Sequence, residues 1–261
     1  GDFLCSYEDW LSISEEYVLT GTSVGTADMT AYVLEKAPVV YISGTVAAEA
    51  ESTSGYVHTA RITSSSYNYD RMAMELMGFK TTNDASEADV VIGATALDEG
   101  GLAAVQDGVP YIGYTASAMR TVNTELLPLS TASTDGMDCL GYVIYPEKTL
   151  TNASYINDGD DVFYGYGTTY FTEVPEGAVV LVQRDGSKEP IEGFLNGDDE
   201  SYNAFINGIQ GFSYQGEDMD GNEIDVTLFA NSLTNKAHQR DEYAFISNTI
   251  FASLLTDVVF E

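Results

Sequence analysis

The chain has 261 residues, with 41 Asp and Glu against 10 Lys and Arg, and its formal net charge is -31. A chain of this length can bury a sizeable core without disulfides or metals. Its negative charge makes nucleic acid and anionic membrane surfaces unfavourable partners. No apolar run reaches the roughly 18 residues of a membrane-spanning helix, and the first residues lack a signal-peptide pattern. We therefore expect a soluble chain.

The cysteines and the first residues bear on the setting of the protein. Cys5 and Cys139 lie far apart, so they indicate neither a disulfide framework nor a thiolate metal cluster. Whether they pair is left open. Gly1 followed by Asp2, with no initiator Met, is typical of a cut or processed chain that has lost a targeting segment or a neighbouring domain.

The first elements mark a change near Pro38. Residues 1–37 are mixed, with a short helix predicted around residues 7–17, and we interpret them as a connector or docking arm. PVVYISG, from Pro38, is a continuous apolar strand of the kind that is buried on both faces. A loop rich in Ser, Thr, Gly and Glu, which includes His58, is predicted to follow.

A repeating strand and helix pattern comes next. YNYDRMAMELMGF predicts a helix that ends at Gly78. Its proposed core face consists of Tyr69, Met72, Leu76 and Met77. Further strands are predicted near 79–82, 90–94 and 109–112, and a short helix at 98–106. This spacing describes a doubly wound α/β unit, in which ligands bind outside the carboxyl ends of the strands.

The second half is richer in strand signals. LGYVIYP, DVFYGYG, GAVVLVQR and IEGFL are separated by turn residues, as mixed or antiparallel strands are. EDMDGN is predicted to form a hairpin turn around Asp220 and Gly221. A final helix is predicted from Asp241 to Thr256. Its apolar residues at helical spacing are Phe245, Ile246, Ile250, Phe251 and Leu254.

The most specific candidate for chemistry is Thr115. It follows the strand in VPYIGYTASAM at the entry to a helix, where a side chain points into the crevice and helix amides can stabilise an oxyanion. A threonine nucleophile needs a base, usually an imidazole. His58 and His238 are the two histidines, and both are interpreted as surface groups. Their separation carries no zinc-ligand spacing, so we predict no metal site of this kind.

Acidic turns and tyrosines raise a second possibility. DGDD at 158–161, NGDDE at 196–200 and EDMDGNE at 217–223 offer the hard oxygens that calcium prefers. Their spacing does not match an EF-hand loop, so solvated turns are favoured over calcium sites. The 18 Tyr suit the rim of a groove, which leaves a sugar-binding module open.

From Pro38 to Leu255 the chain resembles a class I glutamine amidotransferase-like domain. Gly113, Tyr114 and Thr115 match the family motif of Gly, an apolar residue and the catalytic Cys. In LFANS, residues 228–232, Ala230 stands where the family has its His and Ser232 where it has its Glu. The resemblance implies a flavodoxin-like three-layer α/β fold, with added antiparallel strands in the second half, without the amidase chemistry.

A narrower resemblance is carried by GDDVFYGYG, VPEGAVVLVQRD, IEGFL and the ending ANSLTNKAHQRDEYAFISNTIFASLL. These segments are similar to the amidotransferase-like domain downstream of the catalytic domain in secreted bacterial zinc carboxypeptidases of the carboxypeptidase A type. Arg240 and Asn248 match an Arg near the final helix and an Asn inside it. The zinc motif of the peptidase itself is absent from this sequence.

Together these observations predict two parts, a 1–37 arm and a 38–261 amidotransferase-like domain. The resemblance implies a catalytically silent accessory domain that docks, positions substrate or stabilises, without a cofactor. It further implies an extracellular bacterial setting and a peptidase catalytic domain in the same polypeptide. Thr115, Ser117 and Arg240 are the candidate binding residues. The alternatives are a hydrolase that uses Thr115 or Ser117, and a calcium-dependent or sugar-binding module.

Overall fold

The structure is a computed structural model, and the residues it describes are 20–22, 28–30, 37–44, 46–51, 57–62, 65–155, 157–195, 198–237 and 240–254. The predicted helix at 7–17, Cys5 and His238 lie outside these residues. No helix within the described ranges is both long enough and apolar enough to cross a bilayer.

Two antiparallel strand pairs occur early in the chain. The strands up to residue 62 are β1 (Thr20–Thr22), β2 (Asp28–Thr30), β3 (Val39–Ile42), β4 (Val46–Glu51) and β5 (Val57–Ile62). β1 pairs with β2, and β4 pairs with β5. The predicted loop after β3 is therefore wrong, because His58 lies in β5 of a hairpin. The Ser, Thr and Gly residues that indicated a loop cluster at 52–55, between the two strands.

The next segment alternates helices and strands, as predicted. Its elements are α1 (Ser65–Met77), β6 (Lys80–Thr82), β7 (Val90–Gly93), α2 (Glu99–Gln106), β8 (Tyr111–Tyr114) and α3 (Ala116–Thr121). Gly78 follows α1 with φ 83°, a left-handed conformation that suits glycine after a helix. Asp98 caps α2, where its side chain accepts from the Gly101 amide at 2.8 Å.

The second half supplies mostly antiparallel strands. Its strands are β9 (Ser130–Ser133), β10 (Gly136–Ile144), β11 (Val162–Phe163), β12 (Thr169–Glu173), β13 (Val179–Arg184), β14 (Glu192–Leu195), β15 (Ile209–Glu217) and β16 (Glu223–Phe229). Its helices are α4 (Asp199–Ile206) and α5 (Tyr243–Ala252). β15 and β16 form the predicted hairpin across the acidic turn.

The order of the parallel strands defines the fold. β6, β3, β7, β8 and β16 lie side by side, and each neighbouring pair is parallel. Numbered along the chain, this order is 2-1-3-4-5. That is the flavodoxin-like arrangement. β15 adds to β16 in antiparallel fashion, and β13, β10 and β11 extend the sheet beyond it.

Helices cover both faces of this sheet. On one face, α1 and α5 bury Met74, Phe245 and Ile246 in a shared apolar cluster. On the other face, α2 and α3 bury Val105 and Met119 in a second cluster. The chain therefore has three layers, as the resemblance implies.

Three boundaries or faces differ from the predictions. The strand expected at 109–112 is at 111–114, because Pro110 has no N–H to donate to a strand ladder. The last helix begins at Tyr243, after a 3-10 turn at Arg240–Glu242, and ends at Ala252. The core face predicted for α1 is wrong in part, because Met77 packs against the apolar core but Met72 and Leu76 are exposed.

In α1, Met72 and Leu76 are 44% and 54% exposed, whereas Asp70 and Met74 are fully buried. The buried face includes Asp70, although aspartate is a residue type that is seldom fully buried. A charged side chain on the inner face shifts an amphipathic pattern by part of a turn. Hydrogen bonds from Tyr114, Thr234 and the Ala94 amide compensate for the burial of Asp70.

Candidate functional site

Thr115 forms a strained elbow between β8 and α3. Its backbone has φ 87° and ψ 155°, a conformation that is essentially restricted to glycine. A side chain held in this way costs about 1–3 kcal/mol, which the surrounding structure must offset. The turn has the geometry that presents a nucleophile in α/β hydrolases.

The Thr115 hydroxyl, however, is engaged by the backbone. It donates to the carbonyl oxygen of Ala94 at 2.5 Å and accepts from the amide of Ser117 at 3.2 Å. The first bond takes the proton that a general base would remove. The second occupies the Ser117 amide, one of the helix amides that would have to be free to stabilise an oxyanion. α3, moreover, has only six residues.

The strand next to the elbow is β16. Gly113 and Tyr114 lie opposite Leu228 and Phe229 in parallel register, so the register continued by one residue sets Ala230 opposite Thr115. Ala230 is buried and carries no group that can accept a proton. Of the two histidines, His58 is in β5, and His238 lies outside the described residues.

A segment between β11 and β12 covers the chain after Ala230. The Tyr166 amide donates to the Ser232 carbonyl at 3.0 Å, and the Ser232 amide donates back to the Tyr166 carbonyl at 3.2 Å. Ser232 is 8% exposed, and its hydroxyl accepts from the Thr234 amide at 3.3 Å. Ser232, which stands where the resemblance places a catalytic Glu, therefore takes part in a backbone bridge and in a turn.

Asn231, between these two positions, ties three elements together. Its side chain accepts from the Thr169 amide at 3.0 Å and donates to the Thr169 carbonyl at 2.7 Å. It also donates to the Gln210 side-chain oxygen at 2.8 Å. The amide of Asn231 thus pairs with β12 much as a strand backbone does. Asn231 lies within the LFANS segment, but no role was predicted for it.

A buried carboxylate lies below the elbow. Asp70 accepts from the Tyr114 hydroxyl and the Thr234 hydroxyl, both at 2.6 Å, and from the Ala94 amide at 3.0 Å. Burial raises the pKa of Asp70 to about 6, and the three donors lower it in part. Ala94, which also receives the Thr115 hydroxyl, joins this network to the elbow. Asp70 was not predicted as a site residue from the sequence.

A cavity of about 260 Å³ lies beside the elbow. We call it the elbow cavity, and its lining residues are Ala116, Met119, Arg120, Asn123, Leu129, Thr131 and Thr169. Arg120 is the charged residue of this lining and donates to the Ser117 hydroxyl oxygen at 3.4 Å. Thr115 does not line the cavity, because its hydroxyl is directed towards Ala94.

No protein-family model matches the chain, and no curated protein matches it. Solved structures match over most of its length. A protein from Thermoplasma acidophilum that is assigned as part of a GMP synthase is 10% identical, over 84% of this chain and 95% of that one, with TM-score 0.48. A ThuA-like protein from Bacteroides uniformis is 11% identical, over 90% and 95%, with TM-score 0.48.

A glutamine amidotransferase from Thermotoga maritima is 8% identical, over 84% of this chain and 96% of that one, with TM-score 0.40. Such likenesses concern the fold and leave the site open. The flavodoxin-like arrangement of this chain follows from its own strand order.

The other candidate residues have separate surroundings. Arg240 is exposed in the 3-10 turn before α5, where its charge acts on Tyr243. Neither Arg240 nor Ser117 lines the elbow cavity, although Ser117 faces Arg120. Asn248 donates to the Thr151 carbonyl at 3.3 Å and to the Ser154 hydroxyl at 2.9 Å, so it tethers the 151–154 loop to α5.

The acidic turns use their oxygens for local hydrogen bonds. Asp218 accepts from the backbone amides of Asp220 and Asn222 at 2.9 and 2.8 Å. Asp158 accepts from the Tyr145 amide at 2.8 Å, and Asp160 forms a 2.7 Å ion pair with Lys188. Within the part of the chain that the structure describes, no three His, Cys, Asp or Glu residues are grouped as a metal site requires.

Proposed function

We propose that the chain is a catalytically silent amidotransferase-like domain with an accessory role in docking, substrate positioning or stabilisation. The observation that carries this proposal is the Thr115 hydroxyl, which donates to the Ala94 carbonyl instead of a base. A hydroxyl activated for attack must share its proton with a basic group. Ala230 supplies none.

The covering segment supports the same conclusion. Catalysis at an elbow needs a crevice in which substrate can reach both the nucleophile and its base. Here the backbone of Tyr166 and Ser232 forms two hydrogen bonds across the end of β16, and Asn231 is bonded to Thr169. The space that a substrate would use beside Ala230 is therefore taken by the chain itself.

The proposed setting follows from the narrower resemblance. We propose that the domain belongs to a larger secreted bacterial zinc carboxypeptidase, whose catalytic domain lies in the same polypeptide. The net charge of -31 suits an exposed extracellular protein, because self-repulsion of this size is reduced by salt and bound cations. Asn248, one of the matched residues, has a structural role in tethering a loop to α5.

Activity assays test the silence of the site. Glutamine hydrolysis and peptide hydrolysis are measured for the purified chain and for Thr115→Ala, with buffer as the reference. The proposal predicts equal rates for the two proteins at the level of buffer. A rate well above buffer that is lost in Thr115→Ala would contradict it.

One observation favours an alternative, a hydrolase with Thr115 or Ser117 as nucleophile. Backbone strain of the kind seen at Thr115 is often retained at active sites. In this case His238 or a carboxylate would have to act as base after a change in conformation that releases the Thr115 hydroxyl from Ala94. Substrate-dependent turnover that requires Thr115 or Ser117 would support this alternative.

A further inference from the structure

A second cavity, of about 430 Å³, lies on one face of the sheet and away from the elbow. We call it the sheet-face cavity. Its floor is formed by Ser213 and Gln215 of β15 with Asp225 and Thr227 of β16, next to the apolar Val179 of β13, and its walls are Gly177, the loop at 148–151 and the end of α5. Its volume is within the range of small-molecule sites in proteins.

The floor is polar where a covered sheet is usually apolar. Ser213 pairs with Thr227, and Gln215 pairs with Asp225, so two consecutive cross-strand pairs present polar groups on the same face. The alternate residues face the other layer, where Phe212 and others join the apolar core. Polar side chains under a helix need partners. A ligand in the cavity would supply hydrogen-bond partners for these polar side chains.

Asp225 is half-buried, and no described residue gives it a cationic partner. The Gln215 amide donates to one of its oxygens at 2.9 Å, and burial raises the pKa of Asp225. Within the described part of the chain, no Lys, Arg or His forms an ion pair with this carboxylate. Lys148, which also lines the cavity, donates to the Tyr155 carbonyl at 3.2 Å and lies 4.4 Å from the centre of the Tyr145 ring.

One wall of the cavity carries a hydroxyl without a hydrogen-bond partner among the described residues, that of Thr149. The Thr149 hydroxyl oxygen is buried. The loop that carries it is held in place, because the Asn248 side chain bonds to Thr151 and Ser154. The hydroxyls of Thr151 and Thr249 lie 3.3 Å apart and can satisfy each other. Asp225 therefore remains as a group that a ligand can satisfy, and the buried Thr149 hydroxyl becomes a second one when its side chain turns towards the cavity that Thr149 lines.

We propose that the sheet-face cavity binds a small organic ammonium compound that also carries hydroxyl groups. The ammonium group pairs with the carboxylate of Asp225, and a ligand hydroxyl bonds to Thr149. An anionic ligand would be repelled by Asp225, and a divalent metal would find one carboxylate where it needs several oxygen ligands. The negative charge of the whole chain raises the local concentration of cations.

Glucosamine and glucose are a matched pair of probes for this site, because they have the same ring and differ by an ammonium group against a hydroxyl. Each is titrated into the isotopically labelled full chain at pH about 7 and low salt, and amide shifts are followed by NMR. We expect saturable shifts near Thr149, Ser213 and Thr227 with glucosamine. Glucose should bind about 10-fold more weakly or worse, since charged hydrogen bonds are the stronger ones.

Two variants and one control make the test specific. Asp225→Asn keeps the shape of the side chain and should weaken glucosamine by about 10-fold or more, with little effect on glucose. Thr149→Val, which removes the unsatisfied hydroxyl, should weaken both sugars. Asp220→Asn makes the same change of charge in an exposed turn and should leave both affinities unchanged.

The proposal is overturned by three results. No saturable shift with glucosamine would mean that the cavity holds only water. Equal binding of glucose and glucosamine, or glucosamine binding that Asp225→Asn leaves intact, would show that the ammonium group is not recognised. If Asp225→Asn does not fold, the proposal is tested by Thr149→Val and by the comparison of the two sugars on the unmodified chain.

Discussion

The hydroxyl of Tyr114 donates a 2.6 Å hydrogen bond to the carboxylate of Asp70, which lies 44 residues earlier in the chain. Tyr114 is the last residue of β8 and directly precedes Thr115. Asp70 also binds the Ala94 amide, and the Ala94 carbonyl accepts from the Thr115 hydroxyl. One buried carboxylate thus fixes the end of β8, the chain after β7 and, through Ala94, the elbow itself.

Removal of the Tyr114 hydroxyl tests this arrangement. Tyr114→Phe should lower the free energy of unfolding by about 1.5–3 kcal/mol, the usual value of a hydrogen bond to a charged group. Urea unfolding at neutral pH measures it. Tyr166→Phe is the control, because its ring is 37% exposed, and it should change stability by no more than about 0.5 kcal/mol. Equal effects of the two variants would contradict the role of Asp70.

The raised pKa of Asp70 predicts a pH dependence of stability. Burial raises this pKa to about 6 from its ordinary value of 3.8, so the folded protein binds the proton more tightly than the unfolded chain. The resulting stabilisation is fully present below pH about 3.8 and is lost as pH rises through about 6. Its size is about 3 kcal/mol.

Asp70→Asn isolates this effect from the other carboxylates. The unfolding free energy of the unmodified chain minus that of Asp70→Asn should fall between pH about 4 and pH about 6.5 and then stay level. Other acidic groups act equally on both proteins and cancel in the difference. A difference that rises over this range would mean that the pKa of Asp70 is lowered in the folded state.

Substitutions at Thr115 separate backbone strain from helix capping. Thr115→Ser keeps the capping hydroxyl and should be close to the unmodified chain in stability. Thr115→Ala loses the cap, worth about 1 kcal/mol, and keeps the strain. Thr115→Gly loses the same cap but accepts φ 87° without strain, so it should be about 1 kcal/mol more stable than Thr115→Ala. If chemical unfolding shows Thr115→Ala to be more stable than Thr115→Gly, the backbone at Thr115 is unstrained.

The amide of Asn231 is expected to be sensitive to a change of one atom. In Asn231→Asp, a carboxylate oxygen would face the Thr169 carbonyl and the Gln210 oxygen, and stability should fall by at least about 2 kcal/mol. Asn123→Asp is a matched control, because the Asn123 side chain is exposed and accepts from the Leu129 amide, as a carboxylate also can. Thermal unfolding compares the stability of the two variants. A similar loss of stability in both would contradict the hydrogen bonds assigned to the Asn231 amide.

The parallel half of the fold could be predicted because its signals are local. β3, β7 and β8 are short apolar runs, as in Val90–Gly93, and Asp98 and Gly78 mark helix ends. The flavodoxin-like order and the hairpin at the acidic turn are confirmed. The hairpin that contains His58 was missed because small polar residues between its strands resemble an open loop.

The site could be predicted only as far as the position of Thr115. Asp70 and Thr234 are 164 residues apart, so no local pattern indicates that they share a hydrogen bond. Asp70 and Met74 have helical spacing in the sequence, but a buried charge is uncommon, and the predicted face lay part of a turn away, on Met72 and Leu76. The backbone conformation of Thr115 depends on contacts with Ala94, which lies on a different strand end.

The most direct test of the central claim is the mass of the intact chain after treatment with a hydroxyl-directed acylating probe. A Thr115 hydroxyl that caps a helix and donates to Ala94 should not react, so the account predicts no adduct on the folded chain. Thr115→Ala provides the matched comparison. A single adduct that maps to Thr115 and is absent from Thr115→Ala would contradict the account and establish an activated nucleophile at the elbow.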